Sequence, residues 1–380
     1  MTELRNAGRL TGTLPYRARL LLLFVLAVAG PAQELRPGVW AGRDLSAFPL
    51  PVSGYDVYMF GEMHGVKENV EVLMQYLVRL YEGAGLRDIA LEEKSAYQRE
   101  AQAYVEGKSN AVPEPLCLRA GVLDAIRRFN EGRRGGGLIQ VHLVDVDLNA
   151  EAIRAHLLTL KGQISGTKAM GVPAVGDIKA HGLETVAALQ RLTNDQEILG
   201  ELRTIGHSIR AYQQGLDVAT GGVKGSPYLD DREDAALSNI IDILHNQHRQ
   251  AVLALYGNDQ VSKTVLHNGG PKQDSDFSPL ARRLERAGIK VFSVVTIPLA
   301  GRSNWRGHEG VLMWTASDGS LANGDTLDRV LASTPGAAFL YIDPRQERAK
   351  LPSQDLTRSG ADAFLLFAHG TPAENRCAVR

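Results

Sequence analysis

Short runs rich in β-branched and aromatic residues recur along this chain at 55–60, 88–91, 139–145, 251–256, 291–296, 338–342 and 363–367, and helical patterns separate them. Strands that alternate with helices cannot pair as hairpins, so the pattern predicts an α/β fold: a mainly parallel sheet flanked by helices. The clearest helix follows the first run, where Val66, Val70, Leu73, Met74, Leu77, Leu80 and Tyr81 fall on one face and Gly83 or Gly85 ends it. Strand, tight turn and helix together place Glu62 and His64 at the carboxyl end of a strand, where open α/β sheets hold their ligands.

Between the third run, near Asp145, and the fourth, near Ala251, lie about a hundred residues with almost no β character. Segments 150–160, 183–192, 196–216 and 231–248 carry periodic Leu, Ile and Ala, broken by Gly221-Gly222 and Gly225-Ser226-Pro227. The expectation is a single α/β domain over about 50–370, with a large helical insertion at about 148–248 placed over the strand ends as a cap.

The N-terminus sets the compartment. Arg17 and Arg19 precede an apolar run over 20–29 and a break at Gly30-Pro31-Ala32, the layout of a signal peptide, expected to span 1–32. About ten apolar residues fall well short of the roughly twenty that span a bilayer, so no stable membrane insertion is expected after cleavage. The mature protein is expected to be exported, periplasmic or secreted. In that setting Cys117 and Cys377, 260 residues apart, can pair, or Cys377 can remain a thiol near the terminus. Two cysteines exclude a zinc site of cysteine type. A net charge of −1 lacks the basic excess of a phosphate-backbone binder, which argues against nucleic acid as a partner.

The strongest chemical signal is Gly61-Glu62-Met63-His64-Gly65. Glycines on both sides permit a sharp turn, and the carboxylate and imidazole two residues apart suit proton transfer or metal ligation. The alternative is that they satisfy backbone groups at a helix start. The run Ile89-Ala90-Leu91 ends in Glu92 and Glu93. Side chains alternate along a strand, so one acid is expected inward and the other outward, with Glu92 the inward one. A solvated acidic loop is the competing reading.

Two further segments face the same edge. In 230–240 acids lead into a helix, and Arg232 and Asn239 share a face; Arg232 can clamp an anionic group or the glutamates, or the segment is an ordinary exposed helix start. His245 and His248 have metal-compatible spacing but also suit a helix C-terminus. The turn Gly257-Asn258-Asp259-Gln260 closes the fourth run with a polar cluster, as Asp145-Val146-Asp147 closes the third.

In order and spacing, Gly61-Glu62-x-His64-Gly65, the strand ending in Glu92, the Arg232 helix start with Asn239 and the Gly257-Asn258 turn resemble the erythromycin-esterase-like families. These are grouped with ChaN-like haem-binding proteins and Tiki/TraB metallopeptidase-like proteins. The resemblance covers roughly 55–368. It implies that His64 activates a water, with Glu62 and Glu92 as partners, and that Arg232, Asn258, Asp259 and Gln260 contact a small-molecule substrate or ligand. The sequence departs from the pattern twice. One residue rather than two separates Glu from His, and Gln260 stands where a histidine is expected; an amide neither exchanges a proton nor ligates a metal well at neutral pH.

Three readings follow from the resemblance. The first is a metal-free hydrolase of an ester, lactone or amide. The second is a hydrolase that needs a divalent metal and recruits Asp259 or His267. The third is a non-catalytic protein that keeps the pocket for a ligand. No cofactor is required by the first. Haem lacks a Cys-x-x-Cys-His motif and an evident axial ligand here. A monomer is expected.

Overall fold

The computed structural model describes residues 32–133, 137–219, 228–246, 251–267, 276–305, 308–311, 319–352 and 354–374. The expected leader up to Pro31, the glycine-rich breaks in 221–227, His248 and Cys377 lie outside these residues; Cys117 is disulfide-bonded.

Nine of the described strands form one sheet. Its parallel part comprises β3 (Val57–Glu62), β4 (Asp88–Lys94), β5 (Gln140–Asp145), β6 (Val252–Gly257), β9 (Val291–Pro298) and β13 (Ala363–Phe367). The spatial order is β13-β9-β3-β6-β4-β5, with parallel pairing throughout. All seven sequence runs are strands. The sequence pattern did not show the antiparallel edge, where β12 (Phe339–Ile342), β2 (Val39–Gly42) and β1 (Gln33–Arg36) continue the sheet beyond β13. Two short hairpins stand apart, β7 (Leu266–His267) with β8 (Asp276–Phe277) and β10 (Arg302–Trp305) with β11 (His308–Val311).

Alternation along β3 assigns its side chains to two cores. Tyr58 and Phe60 pack with Leu73, Tyr76 and Leu77 of α1 (Glu68–Gly83) and with Leu123 and Ile126 of α3 (Ala120–Glu131), which follows α2 (Gln98–Val105). Val57 and Met59 face the opposite core. Every residue of β6 and β9 is buried, which is why these strands read as unbroken apolar runs. Helix α1 has no side-chain cap, but Glu68 and Glu71 lie in its first turn against the helix dipole.

The stretch between β5 and β6 folds into α4 (Ala150–Gln163), α5 (Ile178–Gln190), α6 (Gln196–Ala219) and α7 (Tyr228–Asn246). Helices α4 to α6 share a core of their own around Ile153, Leu157, Leu189, Leu202 and Ile205. Helix α7 belongs to the sheet, since Ala236, Ile240 and Ile243 pack with Val144, Val252 and Ala254, and Asn239 Nδ2 donates to the Val144 carbonyl at 3.0 Å. Its N-terminal half reaches the strand ends, where Arg232 meets Glu92 and Asp145. No described helix is long and apolar enough to cross a membrane.

Candidate active site

The site begins where β3 runs out. A Cβ on Gly61 would lie 2.6 Å from both Asn258 Oδ1 and Val261 Cγ2, so glycine lets the loop after β6 close over β3. Thr296 of β9 donates from Oγ1 to the Gly61 carbonyl at 2.7 Å and to Asn69 Oδ1 at 3.1 Å, while Asn69 Nδ2 donates to the Met63 carbonyl at 2.7 Å. Gly65 takes φ +77° and its carbonyl accepts from Asn304 N of β10 at 2.8 Å. The turn carrying His64 is thus tied to β9, α1 and β10.

Glu62 is buried, and its Oε1 accepts from His64 Nδ1 at 2.9 Å and from Arg119 Nη1. Burial pushes this carboxyl up, but the Arg119 charge and the His64 bond outweigh it and hold it at about 2. Ionised at neutral pH, Glu62 accepts a hydrogen bond from His64 Nδ1, so that in the neutral tautomer Nε2 is the nitrogen able to take a proton. His64 Nε2 lies 3.8 Å from Glu92 Oε2. Glu92 accepts from Gly257 N at 2.9 Å and from Arg232 Nη2 at 3.0 Å, and Arg232 Nε donates to Asp145 Oδ1 at 3.1 Å. At the other end Arg119 Nε donates to Glu93 Oε1 at 3.1 Å. One line of alternating acidic and basic side chains therefore runs Glu93, Arg119, Glu62, His64, Glu92, Arg232, Asp145 across the ends of the parallel strands.

The structure brings Glu62, His64, Glu92 and Arg232 together, and the last three line a cavity of about 560 Å³, a size suited to a small molecule. Glu93 was expected to point outward. Both glutamates face the cavity because the register of β4 on β5 slips between Leu91 and Lys94, which breaks the alternation. Arg119, which the sequence reading missed, is buried and comes from a 3₁₀ turn at Glu114–Arg119. A lone arginine at the end of Leu116-Cys117-Leu118 was the only available signal.

The turn after β6 divides. Gln260 lines the cavity, and its Oε1 and His64 Nε2 lie 2.7 and 3.1 Å from the point a Cβ on Gly257 would occupy. Asn258 does not line it: its backbone N donates to the Glu62 carbonyl at 3.1 Å and its Nδ2 to the Thr296 carbonyl at 3.0 Å, stapling β3, β6 and β9. Asp259 is exposed and also outside the lining.

Beneath Arg232, Glu233 is buried with Oε2 unpartnered among the described residues, and burial pushes its carboxyl well up. The Tyr256 hydroxyl is likewise buried and unpartnered among those residues. No three His, Cys, Asp or Glu side chains among the described residues converge as a metal-holding set. The cavity acids are instead claimed by Arg119 and Arg232, so this donor set does not fit a divalent cation.

No protein-family model and no curated protein matches the sequence. Solved structures do match the fold. A histidine-to-asparagine mutant of the erythromycin esterase EreC in its open conformation is 13% identical, with TM-score 0.64 over 86% of this chain and 94% of its own. A Bacillus cereus protein is 16% identical, with TM-score 0.62 over 95% of this chain and 100% of its own. A succinoglycan biosynthesis protein is 12% identical, with TM-score 0.62 over 94% of this chain and 99% of its own. Such identities carry the fold and no more: this chain has the fold of erythromycin esterase.

Proposed function

We propose that the chain is a hydrolase that cleaves an ester, lactone or amide in a small molecule by activating water at His64. The observation that supports this most directly is the Glu62–His64 pair at 2.9 Å, with Glu62 kept ionised by buried Arg119 at the edge of the cavity. His64 Nε2 takes a proton from water as the oxygen attacks the carbonyl carbon. Glu62 stabilises the imidazolium that forms. As the carbon–oxygen or carbon–nitrogen bond breaks, the imidazolium returns the proton to the leaving atom. Glu92, fixed by Gly257 N and Arg232, offers a second acceptor near His64 to orient the water. The leader-like N-terminus supports export as the setting.

The test is a panel of esters, lactones and peptides offered to the purified mature chain, with and without chelator. Turnover that survives chelation and falls by a factor on the order of 100 to 10,000 in His64→Ala is expected. Turnover unchanged in that variant would overturn the reading, whereas no turnover with a ligand-dependent rise in Tm would make the protein a binding module.

A further inference from the structure

Five charged side chains lining the cavity are committed to ion pairs: Glu93 to Arg119, Glu92 and Asp145 to Arg232, and Arg119 also to Glu62. Lys94, at the end of β4, also lines the cavity. Among the described residues its ammonium makes no hydrogen bond and no ion pair; its charge acts on neighbouring Glu93. The register slip that brings Glu93 inward is what carries Lys94 to the cavity beside it.

The rest of the wall is different in kind. Pro115 and Leu118 from the 3₁₀ turn, with Val146 and Leu148 from the segment after β5, form an apolar side to the same cavity. Leu148, at 40% exposure, leaves part of this apolar side open to the cavity. A cavity with an apolar wall, an ion-paired floor and one uncommitted ammonium among the described residues is shaped for an amphipathic molecule. Its apolar body meets the leucines and its anionic group meets Lys94. Both arginines are held in place by carboxylates, so neither is available to do this without breaking a buried pair.

We propose that the cavity selects amphipathic monoanions, and that Lys94 is the residue that recognises the anionic group. The inference rests on the hydrolase reading for the identity of the bond cleaved: the substrate is an ester, lactone or amide on an apolar body that also carries a carboxylate or comparable anion. The recognition step itself involves no turnover. An alkylammonium, by contrast, would meet Lys94 as a like charge.

Calorimetry with non-hydrolysable probes separates this inference from the hydrolase reading. Octanoate, octan-1-ol and octylammonium share one apolar body and differ in head group. The mature chain is expected to bind octanoate more tightly than octanol, by about tenfold, the worth of one charge-assisted hydrogen bond, and octylammonium weakest. Lys94→Met should remove the preference for octanoate over octanol, Lys94→Arg should keep it, and His64→Ala should leave it intact. A Lys94→Met chain that retains the preference, a parent that binds octylammonium best, or a parent that binds none of the three overturns the proposal. Octanoate binding that depends on Lys94 in a chain with no turnover on any ester would sink the hydrolase reading alone.

Discussion

Arg119 and Glu62 meet as a buried ion pair although 57 positions separate them in the chain. The pair orders the site in sequence: the guanidinium keeps Glu62 ionised, and ionised Glu62 accepts the hydrogen bond from His64 Nδ1. Both partners are shielded from water, so their interaction is screened little by salt.

Arg119→Gln should therefore destabilise the chain by about 3–5 kcal/mol at neutral pH, the cost of leaving a buried charge without its partner. The sign follows from linkage. Glu62 is held at about 2 against an ordinary 4.5, so its contribution is present above 4.5 and is lost as pH falls through 2. In the variant Glu62 loses its main counter-charge and protonates at higher pH. Urea unfolding at pH 7 and pH 3 should show a large deficit at pH 7 that narrows at pH 3; an equal deficit at both would refute the electrostatic account.

Glu233 carries the opposite sign. Burial raises its carboxyl well above 4.5, so the folded state binds a proton that the unfolded chain has released. Stability then declines as pH rises above 4.5 toward the folded value. Glu233→Gln keeps the volume and removes the titration. The variant should melt higher than the parent at pH 8, by about 3 °C for each kcal/mol recovered, and with little difference at pH 4. A lower Tm at pH 8 would mean that Glu233 is held there as a working anion.

Two glycines of positive φ offer a comparison that isolates the His64 turn. Gly65, at φ +77°, would place a Cβ 2.3 Å from the Asn304 carbonyl oxygen, whereas Gly54, at φ +90°, has nothing within 4 Å. Gly54→Ala should cost about 1 kcal/mol from backbone strain alone. Gly65→Ala should cost more, because the β10 backbone has to move, and should lower kcat/KM by displacing the adjacent imidazole. Equal losses of stability in the two variants, read from urea midpoints, would show that the contact with Asn304 is not tight.

The parallel sheet was legible because its strands are covered on both faces and so read as apolar runs. The edge was not. Gln33–Arg36 is a four-residue strand with exposed and half-buried positions, and nothing in Gln-Glu-Leu-Arg marks a period of two. Within the site, Glu62 and His64 were legible from glycines whose need is local, and Glu92 from its place at a strand end. Glu93 was misplaced because a register slip depends on the partner strand and leaves no mark in its own residues. Arg119 escaped for a similar reason, since its partners come from β3 and β4 and none lies within a helical turn of it. Asn258, expected to contact a ligand, bonds to the backbone through Nδ2, a placement that rests on where the Thr296 carbonyl falls.

Gln260 bears on both the family resemblance and the chemistry. It borders Gly257 together with His64 Nε2, so Gln260→His would set a second imidazole beside the first without a larger backbone change. If the chain hydrolyses a substrate, this variant should raise kcat/KM, by about tenfold or more, because a second imidazole can stabilise charge that develops at the carbonyl or leaving atom. It should also add an ionisation near 6.5 to the pH–rate profile, the ordinary range of histidine. The gain should disappear in a chain that also carries His64→Ala, since the added imidazole assists a proton transfer that no longer has its base. An active parent whose rate and pH profile are untouched by Gln260→His would place the reacting carbonyl away from Gly257, on the Arg119 side of His64, and the water would then have to approach between His64 and the 3₁₀ turn.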